Sequence, residues 1–116
     1  MASVSLKIEK ENYYEKNVIE NIENRNSFSY FDVDKNKIDI AVFDDGITLK
    51  KHTKGYEMYL CLRQMQYCQI TSKEGSIKLD ANVVAFIRNN DNIVVHYLIE
   101  DEERIIEIKY WGTNYG

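Results

Sequence analysis

From Lys37 to Trp111 the chain keeps a steady beat of short runs in which apolar and polar residues alternate, broken by compact polar turns, with no proline anywhere. Alternation of period two is the mark of a strand with one face in a core and one in solvent. Repeated at intervals of roughly ten residues, it specifies an antiparallel, mainly β protein, most simply a small barrel. The clearest runs are Ile38, Ile40 and Val42 against Lys37, Asp39 and Ala41, and the pair Ile93–Ile99 and Arg104–Trp111. Asp44-Asp45-Gly46, Lys54-Gly55, Lys73-Glu74-Gly75, Asn89–Asn92 and Glu100–Glu103 punctuate them. Gly, Asn and Asp tolerate the positive φ that tight turns need.

The beat extends upstream in part. Val4, Leu6 and Ile8 alternate with Ser5 and Lys7 and predict an inward-facing strand. Ser27–Asp32 carries Phe28, Tyr30 and Phe31 and predicts another. Between them the beat fails. Tyr14, Val18 and Ile22 recur at helical spacing, yet the stretch from Glu11 to Asn26 is rich in asparagine, a weak helix former. A short N-terminal helix and a strand with a loop both fit it. About eight to nine strands result, enough to close a barrel whose interior is filled by side chains or holds one small ligand. Val83–Arg88 and Ile93–Ile99 are apolar on both faces, so cover is expected outside the barrel, from the N-terminal segment or from a second copy.

Length allows one domain over residues 1–116, with 112–116 as a loose tail. A chain of this size buries roughly two-thirds of its unfolded surface without needing disulfides or metal. The net charge is −4 with Lys and Arg scattered among Asp and Glu, so nucleic acid is not an expected partner. The first ten residues lack the apolar core of a signal peptide, and no apolar run is long enough for a membrane helix. Two cysteines, Cys61 and Cys68, fit free thiols in a reducing compartment, and a cytoplasmic location is expected.

No motif for catalysis, metal or cofactor sits on this framework, and no cofactor is expected. Two histidines and two cysteines do not repeat a zinc spacing. The acidic turns lack calcium-loop spacing. What stands out is aromatic: nine tyrosines, several of them on predicted strands. A tyrosine can line a pocket and donate one hydrogen bond, or cap a core with its hydroxyl in water. Lys51, Tyr59, Arg63, Tyr67, His96 and Tyr97 are the candidate ligand-binding residues, for a small apolar or anionic ligand. Three functions compete. One is a non-enzymatic barrel binding a small molecule or protein partner. The second is an enzyme that uses Lys51, Arg63 and nearby acids on an anionic substrate. The third is a homodimeric structural or regulatory domain.

The order of strands and turns from Phe28 to Tyr110 resembles the YwiB-like proteins, a bacterial family of unknown function. The residues that carry the resemblance are Ser29-Tyr30, Ile47-Thr48-Leu49-Lys50-Lys51, then Gly55, Met58 and Leu60. Thr71 through Leu79, with Gly75 inside it, and the closing Tyr97-Leu98 follow. The resemblance implies a calycin-like β-barrel and no particular activity. Two positions depart from the family pattern: Lys51-His52-Thr53-Lys54 replaces an arginine before Gly55, and Ile70 replaces a tyrosine.

Overall fold

The structure, a computed structural model, describes residues 1–112. Ten strands form one antiparallel sheet: β1 (Ala2–Ile8), β2 (Tyr13–Ile19), β3 (Ser27–Phe31), β4 (Lys37–Phe43), β5 (Gly46–His52), β6 (Glu57–Leu62), β7 (Gln66–Ser72), β8 (Gly75–Arg88), β9 (Asn92–Ile99) and β10 (Glu102–Tyr110). The order β2-β1-β10-β9-β8-β7-β6-β5-β4-β3 curls the sheet into a nearly closed barrel. No ladder joins β2 to β3, so these two are the seam.

Strand parity sorts the side chains. Val4, Ile38, Ile40, Val42, Ile47, Leu60, Leu62, Ile93, Val95, Tyr97, Ile106 and Ile108 all point inward and are buried. The register confirms that cross-strand partners share a face: Ile47 faces Leu62, Leu60 faces Cys68, and Ile108 faces Ile93. Cys61 pairs with Tyr67 one position further on. The two cysteines thus sit on adjacent strands but on opposite faces, both buried and both free thiols.

The N-terminal stretch resolves as strand β2, and no helix occurs among the described residues. The helical spacing misled because β2 inverts the usual pattern. Tyr14 and Val18 point outward and are exposed, while Glu15 and Asn17 point inward. A second correction concerns β8. Residues 77–79 and 83–88 belong to one long strand with a bulge between Val83 and Ala85. The extra residue, Val84, lets the strand bend round the barrel. Strand β2 then brings the total to ten. The Glu100–Glu103 turn is tighter than expected. Glu100 and Asp101 alone form it, both at positive φ (48° and 68°), the geometry of a two-residue hairpin.

The expected outer cover is not supplied by the N-terminal segment, which extends the sheet beside β1 instead. Val84 and Ile87 stay 55% and 57% exposed. The predicted loose tail lies, from residue 113 onward, outside the described residues.

Candidate functional site

Every turn of the form β1–β2, β3–β4, β5–β6, β7–β8 and β9–β10 falls at one end of the barrel, because all neighbours are antiparallel. A cavity of about 290 Å³ lies at that end. Its wall is apolar in depth, with Val4, Leu6, Ile38, Leu49, Leu60 and Ile106. Strands on both sides of the open seam contribute to it, and β7 and β8 do not. The polar groups cluster where the strands approach their turns: Glu11, Glu15, Asp32, Lys51 and Arg104, with Tyr13, Tyr30, Tyr56 and Tyr97.

Parity explains how charge reaches a barrel interior. In β10, Arg104 shares the inward face with Ile106, Ile108 and Tyr110. In β5, Lys51 continues the row of Ile47 and Leu49. Each base is matched to an acid. Arg104 Nη2 donates to Glu102 Oε1 at 2.8 Å. Lys51 Nζ lies 3.7 Å from Asp32 Oδ2, and Asp32 Oδ1 accepts the backbone N–H groups of Asp34 and Asn36, each at 2.9 Å. Asp32 is thereby a fixed buried carboxylate at the end of β3. Arg104 Nε is buried without a hydrogen-bond partner. A buried donor left unmade costs roughly 1–3 kcal/mol.

Tyr97 is the largest fully buried side chain, 1% exposed. Burial pushes its phenol pKa far up, with Cys68 adding to the rise and Arg104 pulling the other way. Tyr30 is raised by burial first and then by Glu15 and Asp32. Both therefore stay neutral donors at any ordinary pH. Both also favour the folded state below the ordinary tyrosine pKa of about 10, and that contribution is lost as pH rises beyond it. Stability is expected to fall above about pH 10, with the slowest-ionising phenols appearing only on unfolding. Absorbance at the phenolate band, recorded beside far-UV dichroism during an alkaline titration, checks this. Full ionisation of all tyrosines while the sheet is intact would contradict it.

The six candidate residues separate in space. Lys51 and Tyr97 line the cavity. Tyr59 and Tyr67 lie on the outer wall, ring to ring at 5.9 Å, with Lys78 Nζ 4.4 Å from the Tyr67 ring. Arg63 sits at the other end of β6, stacked 3.7 Å over Phe43 and donating to Asp45 Oδ1 at 2.8 Å. His96 faces outward, its Nε2 a long 3.9 Å from Glu103 Oε2. Lys51 and Arg63 therefore do not converge. Arg104, Asp32, Glu15 and Tyr30 complete the cavity and were missed. Their signal was legible as charged or polar residues on the inward parity of a strand.

The other histidine is also outside. His52 bridges Asp39 Oδ2 at 2.8 Å and Glu57 Oε1 at 3.1 Å across β4, β5 and β6. Burial alone would raise the Asp39 carboxyl, but hydrogen bonds from Ser29 and His52, together with the nearby Lys37, hold it below its usual value. A depressed folded pKa contributes stability above the unfolded value and loses it as pH falls through the folded one. Asp39→Asn should therefore destabilise at neutral pH and converge with the wild type as pH falls through the lowered folded-state pKa, beneath the ordinary aspartate value of about 3.9, read from urea midpoints over a pH series. A difference that persists unchanged in acid would contradict the assignment. Among the described residues no group of three His, Cys, Asp or Glu is placed to hold a metal ion.

The fold and site define a nearly closed ten-stranded antiparallel barrel with an interior cavity beneath one end. Among solved structures, the crystal structure of the ywiB protein from Bacillus subtilis is similar to this chain. The match has a TM-score of 0.45 and 14% identity, and covers 97% of this chain and 92% of that one. It is the protein whose family the strand punctuation resembles. No protein-family model matches the chain, and no curated protein matches its sequence.

Proposed function

We propose that this barrel is a binding protein for a small, largely apolar molecule that carries one hydrogen-bond acceptor. The observation that carries the reading is the interior cavity, with apolar depth and a polar shoulder. Its volume of about 290 Å³ is at the small end of ligand pockets and holds roughly ten non-hydrogen atoms. Donors for a carbonyl oxygen come from the polar shoulder, where Arg104 and the neutral phenols of Tyr30 and Tyr97 line the cavity. Charge favours an uncharged ligand over an anionic one, because each base already faces an acid and Glu11 and Glu15 add negative charge at the mouth. With Lys51 and Arg63 apart, the enzyme reading loses the pair of bases it relied on.

Acetophenone, an aromatic body with one carbonyl, is a suitable probe. Wild-type protein is expected to bind it with a Kd on the order of 1 mM, a modest value suited to so few atoms. Leu6→Trp, which fills the cavity from β1, should abolish binding, and Tyr67→Ala on the outer wall should leave it unchanged. Equal binding by wild type and Leu6→Trp would overturn the proposal.

A second reading, a homodimer, is favoured by the exposed Val84 and Ile87 of β8, the latter opposite Val94 of β9 on the outer face. Light scattering tests it directly. A monomer at high protein concentration would remove it, and a dimer dissociated by Ile87→Lys would support it.

A further inference from the structure

The end of the barrel opposite the cavity mouth carries a second, chemically different cleft of about 500 Å³. It is walled by the 20–26 connection between β2 and β3, the β4–β5 turn, the end of β8 and the turn into β9. Two guanidiniums from separate elements reach it, Arg25 from the connection and Arg88 from β8. Arg25 lies 4.3 Å over the Tyr110 ring and donates to the Asn90 carbonyl. Arg88 donates through Nη2 to Asn26 Oδ1 at 3.0 Å and through Nη1 to Asp44 Oδ1 at 3.2 Å. These contacts fix both cations in place before any ligand arrives.

The asparagines add directed donors. Asn26 Oδ1 is taken by Arg88, and Asn89 Oδ1 accepts the Asp91 backbone N–H at 3.1 Å. With their oxygens engaged, each of these lining amides has Nδ2 left as a donor. Among the described residues Asp44 is the one carboxylate lining the cleft, and its side chain is fully exposed. An exposed ion pair in water is weak, so a better-placed anion can replace that carboxylate. Among the described lining residues two guanidiniums and several amides thus face one carboxylate, on a chain whose net charge is −4.

We propose that this cleft is a binding site for a phosphate-type oxyanion, held by Arg25 and Arg88 with the amides of Asn26 and Asn89. Planar guanidinium forks and amide N–H groups match tetrahedral oxyanions in shape and charge. The site is independent of the apolar cavity, and neither proposal needs the other.

Backbone amide NMR during titration with inorganic phosphate, against sodium chloride at matched ionic strength, tests it. Saturable shifts are expected at Arg25, Asn26, Asn89 and Asn90. Arg88→Gln should bind about tenfold more weakly, having lost a charge-assisted donor pair. Asp44→Asn should bind roughly threefold more tightly, having lost the competing carboxylate, while Arg88 keeps its contact to Asn26. A parallel titration with phenyl phosphate distinguishes the source, since tighter binding than inorganic phosphate points to a phosphomonoester and weaker binding to the free ion. No saturable response to either anion would overturn the proposal. So would a response that Asp44→Asn leaves unchanged or weakens.

Discussion

Gly46→Ala is expected to destabilise the protein by about 3–5 kcal/mol, far more than the same methyl at Gly55. Gly46 opens β5 at φ 155°, in a region that L side chains rarely adopt. A Cβ built there would lie 1.9 Å from the Leu62 carbonyl oxygen and 2.9 Å from its carbon. Those are backbone atoms of the neighbouring strand, where Ile47 and Leu62 pair, so no side chain can swing aside. The close approach is what lets the Asp44-Asp45 turn return the chain against β6. At about 4–8 °C per kcal/mol, Tm should fall by some 15 °C or more. Gly55→Ala is the control, because nothing lies within 4 Å of its Cβ position. It should be neutral or stabilise by about 0.5 kcal/mol through the unfolded chain. A Gly46→Ala cost below about 1 kcal/mol would mean the β5–β6 junction is not this tight.

Tyr97→Ala is expected to cost a similar amount, about 3–5 kcal/mol, for a different reason. The ring is fully buried in the inward row of β9 between Val95 and Ile99, and its loss opens a hole the rigid sheet cannot collapse to fill. Tyr97→Phe keeps the ring and gives up only the hydroxyl, so it should cost about 1 kcal/mol. The pair of variants separates packing from polarity at one position. Because Tyr97 also lines the cavity, the alanine variant should admit a larger ring than the wild type does. A two-ring methyl ketone that binds Tyr97→Ala and not the wild type would show the change in size limit directly. Equal binding by both would place the ligand elsewhere.

The architecture was readable because the barrel obeys parity. Ile38, Ile40 and Val42 in β4, and Ile93, Val95, Tyr97 and Ile99 in β9, alternate cleanly between core and surface. The reading failed where polar residues on the inward face interrupt the pattern. In β2 the inward positions Glu15 and Asn17 face the cavity mouth and are polar, while Tyr14 and Val18 face out at the seam. An inverted strand with apolar residues four apart imitates a helix. The β8 bulge hid a strand in a different way, by shifting parity at Val84 so that one strand looked like two.

The site was half legible for the same reason. Lys51 and Tyr97 were found, one as a basic residue after two inward aliphatics and one as a strand tyrosine. Tyr59, Tyr67 and His96 carry equally suggestive chemistry, yet they occupy the outward parity of β6, β7 and β9. Arg104 was read as part of a hairpin and not weighed as a site residue. The useful signal was its place in the row Glu102, Arg104, Ile106, Ile108, a cation on a core-facing face. Residue type alone does not choose a site in a barrel; type combined with parity does.

Isotope-filtered NOE measurements between acetophenone and methyl-labelled protein test the central claim most directly. The barrel as described predicts contacts from the aromatic ring to the methyls of Leu6, Ile38, Leu49, Leu60 and Ile106, which line the interior cavity. Contacts confined to Val84 and Ile87 on the outer face of the long strand, or none to any methyl, would contradict it.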